Sequence, residues 1–165
     1  MNLPNFIRAP LLRWAYNLMN SRSPDFTITP TSTPYLFRWH IIPRNKLFNI
    51  YLHRTIADDD DRALHDHPWL NLSIILEGGY NEHVYHSSLS SHPYIIQIRR
   101  WPGALIFRRS TTAHRLSLIN FNPCISLFIT GPRLRDWGFH CPQGWIHWKD
   151  FTGSHKGIIG KGCNQ

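Results

Sequence analysis

Short strand-like runs separated by turn signals extend through most of the chain, and this pattern constrains the fold more than any other feature. The runs are rich in β-branched and aromatic residues and show polar–apolar alternation. Glycine and proline pairs such as Gly78-Gly79 and Pro102-Gly103 separate them. Eight such runs lie at 35–42, 47–55, 70–76, 83–86, 94–99, 104–107, 114–119 and 124–130. No long β-α-β pattern competes, so the sequence predicts an all-β fold, a small antiparallel barrel or sandwich.

The length of the chain, 165 residues, suits one compact domain and is too short for two ordinary ones. Apolar residues at helical spacing predict an amphipathic helix over Ala9–Asn20, with Pro10 in its first turn. A connector rich in Ser, Thr and Pro follows. We therefore divide the chain into an N-terminal helix and connector (1–34), a barrel domain (35–151) and a Gly-rich flexible tail (152–165).

The net charge of +8 invites a nucleic-acid interpretation, but the charge is scattered. Arginine outnumbers lysine 14 to 4, and only short pairs such as Arg108-Arg109 occur, whereas a binding tail concentrates its charge. Direct nucleic-acid binding therefore rests on charge alone. Eleven histidines are the more unusual feature, and they direct attention to metal or acid–base chemistry.

Sequence signals for location and redox state are few. No apolar stretch approaches the roughly 20 residues of a membrane-spanning helix, so we expect no membrane partner. Residues 1–19 carry charges within their apolar run and are a poor secretory signal, so we expect a cytoplasmic protein. The three cysteines, Cys124, Cys141 and Cys163, are odd in number and far apart, so we expect them to be reduced.

The strongest local motif is His65-Asp66-His67, placed just before an apolar run. Residues two apart in a strand share a face, so the two imidazoles can converge on one ion. Asn71 has the same parity if the strand is regular. A second half follows, in which Gly103 and the pair Ile106-Phe107 precede His114.

These two halves, HDHPWLNLSIILEGG and PGALIFRRSTTAHRLSL, resemble the two motifs of the cupin superfamily over roughly residues 47–131. The matching positions are His65, His67, Gly78, Gly103 and His114. The departures are that the family's metal-binding Glu falls on Asn71, and that the Pro and Gly of its second turn fall on Arg109 and Thr111.

The resemblance implies a small jelly-roll barrel that holds a divalent metal through His65, His67 and His114, with Asn71 as a weak, neutral fourth ligand. It also implies a homodimer. Three-His cupins include Fe(II) dioxygenases, so Fe(II) is the first expectation, and zinc, manganese and nickel are the alternatives. A site with only neutral ligands keeps the full charge of the ion and favours a small anionic substrate.

Five further residues are candidates for roles around that centre. His53 and Tyr51 share strand parity and could move protons in the barrel interior. Trp69 could form a wall of the metal pocket. Arg115 and Arg135 are candidate substrate-binding residues, because Arg side chains grip carboxylate or phosphate groups.

Other features have simpler interpretations. Residues 131–150 combine three Trp with Arg133, Arg135 and Cys141, and they form either a lid over the barrel or a Trp-rich plug against the N-terminal helix. The run of four acidic residues, Asp58–Asp61, predicts a solvated turn. The spacing of His83 and His86 predicts an exposed hairpin. Asp66 should point away from its two histidine neighbours.

The leading hypothesis is thus a metal-dependent cupin, with oxygenation by Fe(II) as its chemistry. A Zn- or Mn-dependent isomerase or hydrolase would use the same three histidines as a Lewis-acid site. A noncatalytic cupin that binds a sugar, nucleotide or protein is the alternative from another class, and Asn71 in place of the acidic ligand favours it.

Overall fold

Antiparallel strands account for most of the regular structure in the computed structural model, which describes residues 2–29, 34–59, 63–86, 94–153 and 160–164. The helices are α1 (Asn5–Ser21) and α2 (Trp148–Thr152). The strands are β1 (Phe26–Ile28), β2 (Leu36–His40), β3 (Asn49–Thr55), β4 (Leu64–His65), β5 (Asn71–Glu77), β6 (Tyr80–His86), β7 (Tyr94–Arg100), β8 (Leu105–Arg108), β9 (His114–Leu118), β10 (Cys124–Thr130), β11 (Gly138–Cys141) and β12 (Gly144–His147).

The strands form two six-stranded sheets. The first has the order β1-β2-β3-β10-β5-β8, and the second has the order β12-β11-β4-β9-β6-β7. Consecutive strands such as β4 and β5 lie in different sheets, so the chain crosses between the layers instead of forming a simple meander. The prediction of an all-β antiparallel fold is confirmed, and each of the eight predicted runs overlaps a strand.

Strands β1, β4, β11 and β12 were not predicted. They are two to four residues long, and β11 and β12 contain Gly, His and Trp where the pattern sought β-branched alternation. Sequence patterns detect strands by their period, and so short a strand has no measurable period. These short strands are held in extended form by backbone hydrogen bonds to the neighbouring strands of their sheets.

Helix α1 packs on the outer face of the first sheet. Ala15 is fully buried there against Leu52, Leu76 and Trp39. The helix begins four residues earlier than predicted, so Pro10 lies inside it and not in its first turn. Arg8 Nη1 also donates to the carbonyl oxygen of Leu76 at 2.6 Å, which ties the helix to β5. No helix among the described residues is long and apolar enough to cross a membrane.

The space between the two sheets is partly apolar and partly polar. One end holds an apolar cluster around Ile75, Ile106 and Leu118. Elsewhere the interior side chains are polar and buried, which is uncommon unless they are hydrogen-bonded or bind something. The buried polar residues of the strands are His53, Thr55, Asn71, Ser73, Glu82, Arg108, His114, Ser126 and Thr130.

The segment 131–150, interpreted from the sequence as a lid or a plug, contributes two strands to the second sheet. Its hairpin β11–β12 extends the second sheet at the edge of β4, and Phe139 of β11 lies opposite His65. Phe139 stacks on Phe151 of α2 with ring centroids 3.7 Å apart. The segment is therefore a structural part of the sheet, with its own small apolar core.

The expectation that all cysteines are reduced was wrong. Cys141 of β11 forms a disulfide with Cys163, and Cys124 alone is free and buried. Residues 154–159 and 165 of the predicted flexible tail lie outside the described residues. The described remainder is attached to the barrel, since the Gly160 and Gly162 N–H groups donate to carbonyls of Thr152 and Phe151. Sequence spacing did not reveal the pair, because only the fold brings residues 22 positions apart together.

Candidate metal centre

Three histidines converge where two neighbouring strands of the second sheet, β4 and β9, lie side by side. His65 ends β4, His67 follows two residues later, and His114 begins β9 directly opposite His65. One nitrogen from each ring lies within 4.8 Å of the other two. The convergence predicted from the motif spacing is therefore present in the structure.

The backbone around the motif is held on both sides. The His67 N–H donates to the Ser110 carbonyl at 3.2 Å, and the Asp66 N–H donates to the Gly138 carbonyl at 3.0 Å. The side chain of Asp66 lies on the β11–β12 side, where it accepts from the Gly138 N–H, from His140 and from Trp145. Asp66 thus points away from the imidazoles, as predicted, and its carboxylate anchors the neighbouring hairpin.

The spacing of the ring nitrogens fits a metal ion. The Nε2 atoms of His67 and His114 are 2.9 Å apart. Two nitrogens bound to one ion at about 2.1 Å and at right angles are about 3.0 Å apart. Burial is the main cause that lowers the pKa of His67 well below its usual value, and it lowers the pKa of His114 to about 3. Both rings are therefore neutral at physiological pH, which is the form that binds metal.

A buried carboxylate orients His114. The Nδ1 atom of His114 lies 3.2 Å from Oε1 of Glu82 in β6, although its alignment is poor for a hydrogen bond. The interaction is therefore chiefly electrostatic, and it favours the tautomer with the proton on Nδ1. That tautomer presents the Nε2 lone pair to the other two rings, as in carboxylate–histidine–metal arrangements.

Glu82 in turn belongs to an ion-pair network inside the barrel. Arg108 Nε donates to Oε1 at 2.5 Å, and Arg100 Nε donates to Oε2 at 2.7 Å. Burial raises the pKa of Glu82, but the contact with His114 and the charge of Arg108 lower it more, so the carboxyl stays ionised. Arg108 also donates to Ser73 at 2.8 Å and to Tyr80 at 3.1 Å, so its buried charge is fully engaged.

Asp59 has a similar but looser relation to His65. Its Oδ2 lies 4.0 Å from His65 Nδ1 and accepts from the Leu116 N–H at 2.7 Å, while Tyr35 donates to its other oxygen. The prediction of a solvated turn was therefore wrong for this residue, which is 7% exposed. Asp58 likewise accepts from the Leu118 N–H at 2.6 Å, and residues 60 and 61 lie outside the described residues.

Asn71, the predicted fourth ligand, begins β5 and is 2% exposed. Its Oδ1 accepts a long hydrogen bond of 3.4 Å from Arg108, and its buried Nδ2 has no hydrogen-bond partner among the described residues. The side chain therefore joins the Arg108 network, and coordination by Asn71 stays a prediction.

The two predicted proton carriers lie in the barrel interior. The rings of Tyr51 and His53 are stacked with their centroids 5.9 Å apart, and the His53 ring is also stacked on that of Phe128, with centroids 5.1 Å apart. Phe128 lies 6.0 Å from the His67 ring, so one aromatic ring separates His53 from the metal centre. Burial lowers the pKa of His53 well below its usual value, which makes it a neutral imidazole at physiological pH.

The predicted substrate-binding residues are placed less favourably. Arg115 lies opposite His83 on the outer face of the second sheet, because it alternates with the buried His114. Arg135 Nη1 pairs with Asp66 at 2.7 Å and also donates to the Ser110 carbonyl. The indole N–H of Trp69 is buried without a hydrogen-bond partner among the described residues. His83 is half-buried and contacts Ser117 at 3.1 Å, and nothing is described for the side chain of His86.

Sequence reasoning missed Glu82 and Arg38, and it left the position of Arg108 open. Alternation within β6 puts Glu82 in phase with Tyr80 and thus facing inward. That signal is weak, because an inward-facing charge becomes credible only when its partner, Arg108 of another sheet, is known.

Comparison with known proteins identifies the fold. The chain matches no protein-family model and no curated protein sequence. Fe(II)-HppE with the alternative substrate (S)-1-HPP is similar at 13% identity and a TM-score of 0.51, over 67% of this chain and 56% of that chain. FeII HppE in complex with substrate form 2 gives the same identity and TM-score, over 67% and 57% of the two chains.

The DMSP lyase DddQ from Ruegeria pomeroyi DSS-3 is a weaker likeness, at 18% identity and a TM-score of 0.49, over 67% of this chain and 54% of that chain. The chain thus spans little more than half the length of these proteins. The likeness shows the fold alone: two antiparallel sheets packed as in FeII HppE. Within that fold, this chain carries a three-histidine cluster at the ends of two neighbouring strands.

Proposed function

We propose that this protein is a metal-dependent cupin in which His65, His67 and His114 hold one divalent ion, and that it acts on a small anionic substrate. The observation that carries this proposal is the convergence of three imidazoles, two of them buried deeply enough to be neutral, with the carboxylate of Glu82 behind His114. Orienting carboxylates of this kind are a regular feature of metal sites.

Fe(II) is the proposed ion and oxygenation the proposed reaction. Three neutral ligands leave coordination positions open and leave the charge of the ion uncompensated, which favours an anionic substrate. Bound Fe(II) would supply adjacent positions for substrate and O2 and would delocalise charge between them. The likeness to Fe(II)-HppE shows the fold, and it supports the choice of Fe(II) as the first metal to test.

The chain's own residues would position the substrate. Phe128 lies between His53 and His67 and provides an apolar wall next to the centre, where it limits access of water. His53, neutral and buried, would accept a proton from a substrate only when its Nε2 is released from the hydrogen bond that Arg38 Nε donates to it. Glu82 orients the ring of His114, and its own negative charge is balanced by the paired guanidinium of Arg108.

Elemental analysis of protein purified without chelators tests the metal site. We expect near-stoichiometric metal in the wild type and its loss in a His65→Ala/His114→Ala variant. His83→Ala is the matched control, since His83 lies on the outer face of the same sheet, and its one side-chain hydrogen bond among the described residues is with Ser117. Wild-type protein that stays metal-free after incubation with Fe(II) and with Zn(II) would contradict the proposal.

Oxygen consumption then separates the chemistries. Fe(II)-loaded protein given a panel of small carboxylates should consume O2 with at least one of them, and the double variant should not. Stoichiometric metal without O2 consumption would favour Lewis-acid chemistry by zinc or manganese. The noncatalytic alternative has one observation in its favour, namely that Arg108 engages the Asn71 oxygen at the position of the missing acidic ligand.

A further inference from the structure

Arg38 of β2 faces the interior of the barrel. Its strand neighbours Phe37 and Trp39 pack toward helix α1, on the outer face of the first sheet. Alternation therefore turns Arg38 inward, and the strand register sets it opposite His53. The guanidinium Nε donates to His53 Nε2 at 2.8 Å and the group lies over the Tyr51 ring at 4.8 Å.

This arginine has no counter-ion among the described residues. No carboxylate oxygen of that part of the chain lies within 4.0 Å of it, whereas Arg108 in the same interior is paired with Glu82. The Nη1 and Nη2 groups of Arg38 also make no hydrogen bond to a described residue. A partly buried cation without a counter-ion is unfavourable, so such a group is expected where an anion binds.

The charge at Arg38 persists despite its surroundings. Burial lowers the pKa of the guanidinium, but an arginine does not lose its proton in proteins. His53 is neutral, so it accepts the Nε hydrogen bond and orients the group. The Nη1–Nη2 edge is thereby left as a fixed pair of parallel donors, which matches the two oxygens of a carboxylate.

The unpaired edge belongs to the same interior as the metal centre. Arg38 Nε is hydrogen-bonded to His53 Nε2 at 2.8 Å. The His53 ring lies on the Phe128 ring, with centroids 5.1 Å apart, and the Phe128 centroid is 6.0 Å from that of His67. The charge of Arg38 is also among the causes that lower the pKa of His67. A small molecule held by Arg38 would therefore lie along Phe128 with its other end toward His67.

We propose that Arg38, oriented by His53 and Tyr51, binds the carboxylate of a small monoanionic molecule. This inference rests on the proposed function for what happens at the other end of that molecule, but not for the anion site itself. A carboxylate fits better than a phosphate, because one uncompensated cation with two free donors matches a single charge, and the walls are neutral rings.

Calorimetric titration of chelator-treated full-length protein tests the site without a metal. The probes are propionate, its neutral isostere propionamide, and inorganic phosphate, all at constant ionic strength. We expect propionate to bind at least about tenfold more tightly than propionamide, and phosphate to bind no more tightly than propionate. Propionate that binds no better than propionamide overturns the proposal, and tighter binding of phosphate overturns the assignment to a carboxylate.

Substitutions then localise the site. Arg38→Gln should weaken propionate binding about tenfold or more, and Arg38→Lys should give an intermediate loss, because it keeps the charge but not the paired donors. Arg54→Gln is the matched control, since Arg54 follows His53 in β3 and is exposed on the outer face. Equal propionate binding by folded Arg38→Lys and wild type, or an equal loss in Arg54→Gln, overturns the assignment to Arg38.

Metal content distinguishes failure of this inference from failure of the proposed function. Arg38-dependent propionate binding by a protein that never takes up metal would support the anion site and contradict the metal centre. The opposite outcome is stoichiometric metal together with equal propionate binding by the wild type and Arg38→Gln. That outcome would support the metal centre and overturn the proposed anion site.

Discussion

The Glu82–Arg108 pair gives a prediction whose magnitude follows from the structure. Glu82→Gln keeps the shape of the side chain but removes the negative charge that faces Arg108, Arg100 and His114. Arg108 is 3% exposed, so its guanidinium cannot turn to solvent and would remain buried without a counter-ion. Breaking one partner of a buried pair costs about 3–5 kcal/mol, a large share of a total stability of about 5–15 kcal/mol.

Urea unfolding of metal-free protein at pH 7 measures this loss. Glu77→Gln is the control. In the part of the chain that the structure describes, the Glu77 carboxylate accepts one exposed hydrogen bond, from Tyr16, so this substitution should cost about 1 kcal/mol or less. A Glu82→Gln/Arg108→Gln variant should be less destabilised than the sum of the single changes, because it removes the orphaned charge. Metal affinity should fall about 10–100-fold in Glu82→Gln, through the lost orientation of His114.

A destabilisation by Glu82→Gln below about 1 kcal/mol would refute the reasoning, because it would mean that Arg108 finds solvent or another partner when the carboxylate is lost. Strict additivity of the two single changes would refute it as well, since an ion pair must show coupling.

Three further predictions concern the anchor of the hairpin, the disulfide and the interior histidine. Asp66→Asn should increase the rate of amide hydrogen exchange in residues 138–147, because the Asp66 carboxylate contacts Arg135, His140 and Trp145. Asp136→Asn is the control and should leave exchange unchanged, because Asp136 pairs with Arg133 on the exposed surface. Cys163→Ser should lower stability by about 3 kcal/mol for a loop of 22 residues, and a reductant should then have no further effect on the melting temperature. His53 has a folded pKa below that of the unfolded chain, so its contribution to stability is present above the unfolded value and is lost as pH falls. Below about pH 6.5, wild-type stability should therefore fall more steeply than that of His53→Gln, by up to about 1.4 kcal/mol for each pH unit. Equal dependence of the unfolding free energy on pH in the two proteins would contradict the burial of His53.

Elements with a measurable hydrophobic period, and the local geometry of the histidine motif, could be predicted from the amino-acid sequence alone. Alternation predicted the long strands, and β10 begins and ends at its predicted residues, Cys124 and Thr130. The i, i+2 spacing of His65 and His67 put both imidazoles on one face, and the same alternation turned Asp66 away from them. These features depend on neighbours in the chain, and so they could be read from the chain alone.

Contacts between residues that are distant in the sequence depend on how the strands and sheets pack. Glu82 faces Arg108 and His114 because β6 pairs with β9 and the other sheet packs over it, and no local pattern encodes that contact. Among the described residues, Arg38 is left without a counter-ion for the same reason, since its surroundings come from other strands. The Cys141–Cys163 bond likewise depends on how α2 returns the chain to β11. Register between strands and packing between sheets are long-range choices, made by burial and charge compensation over the whole barrel.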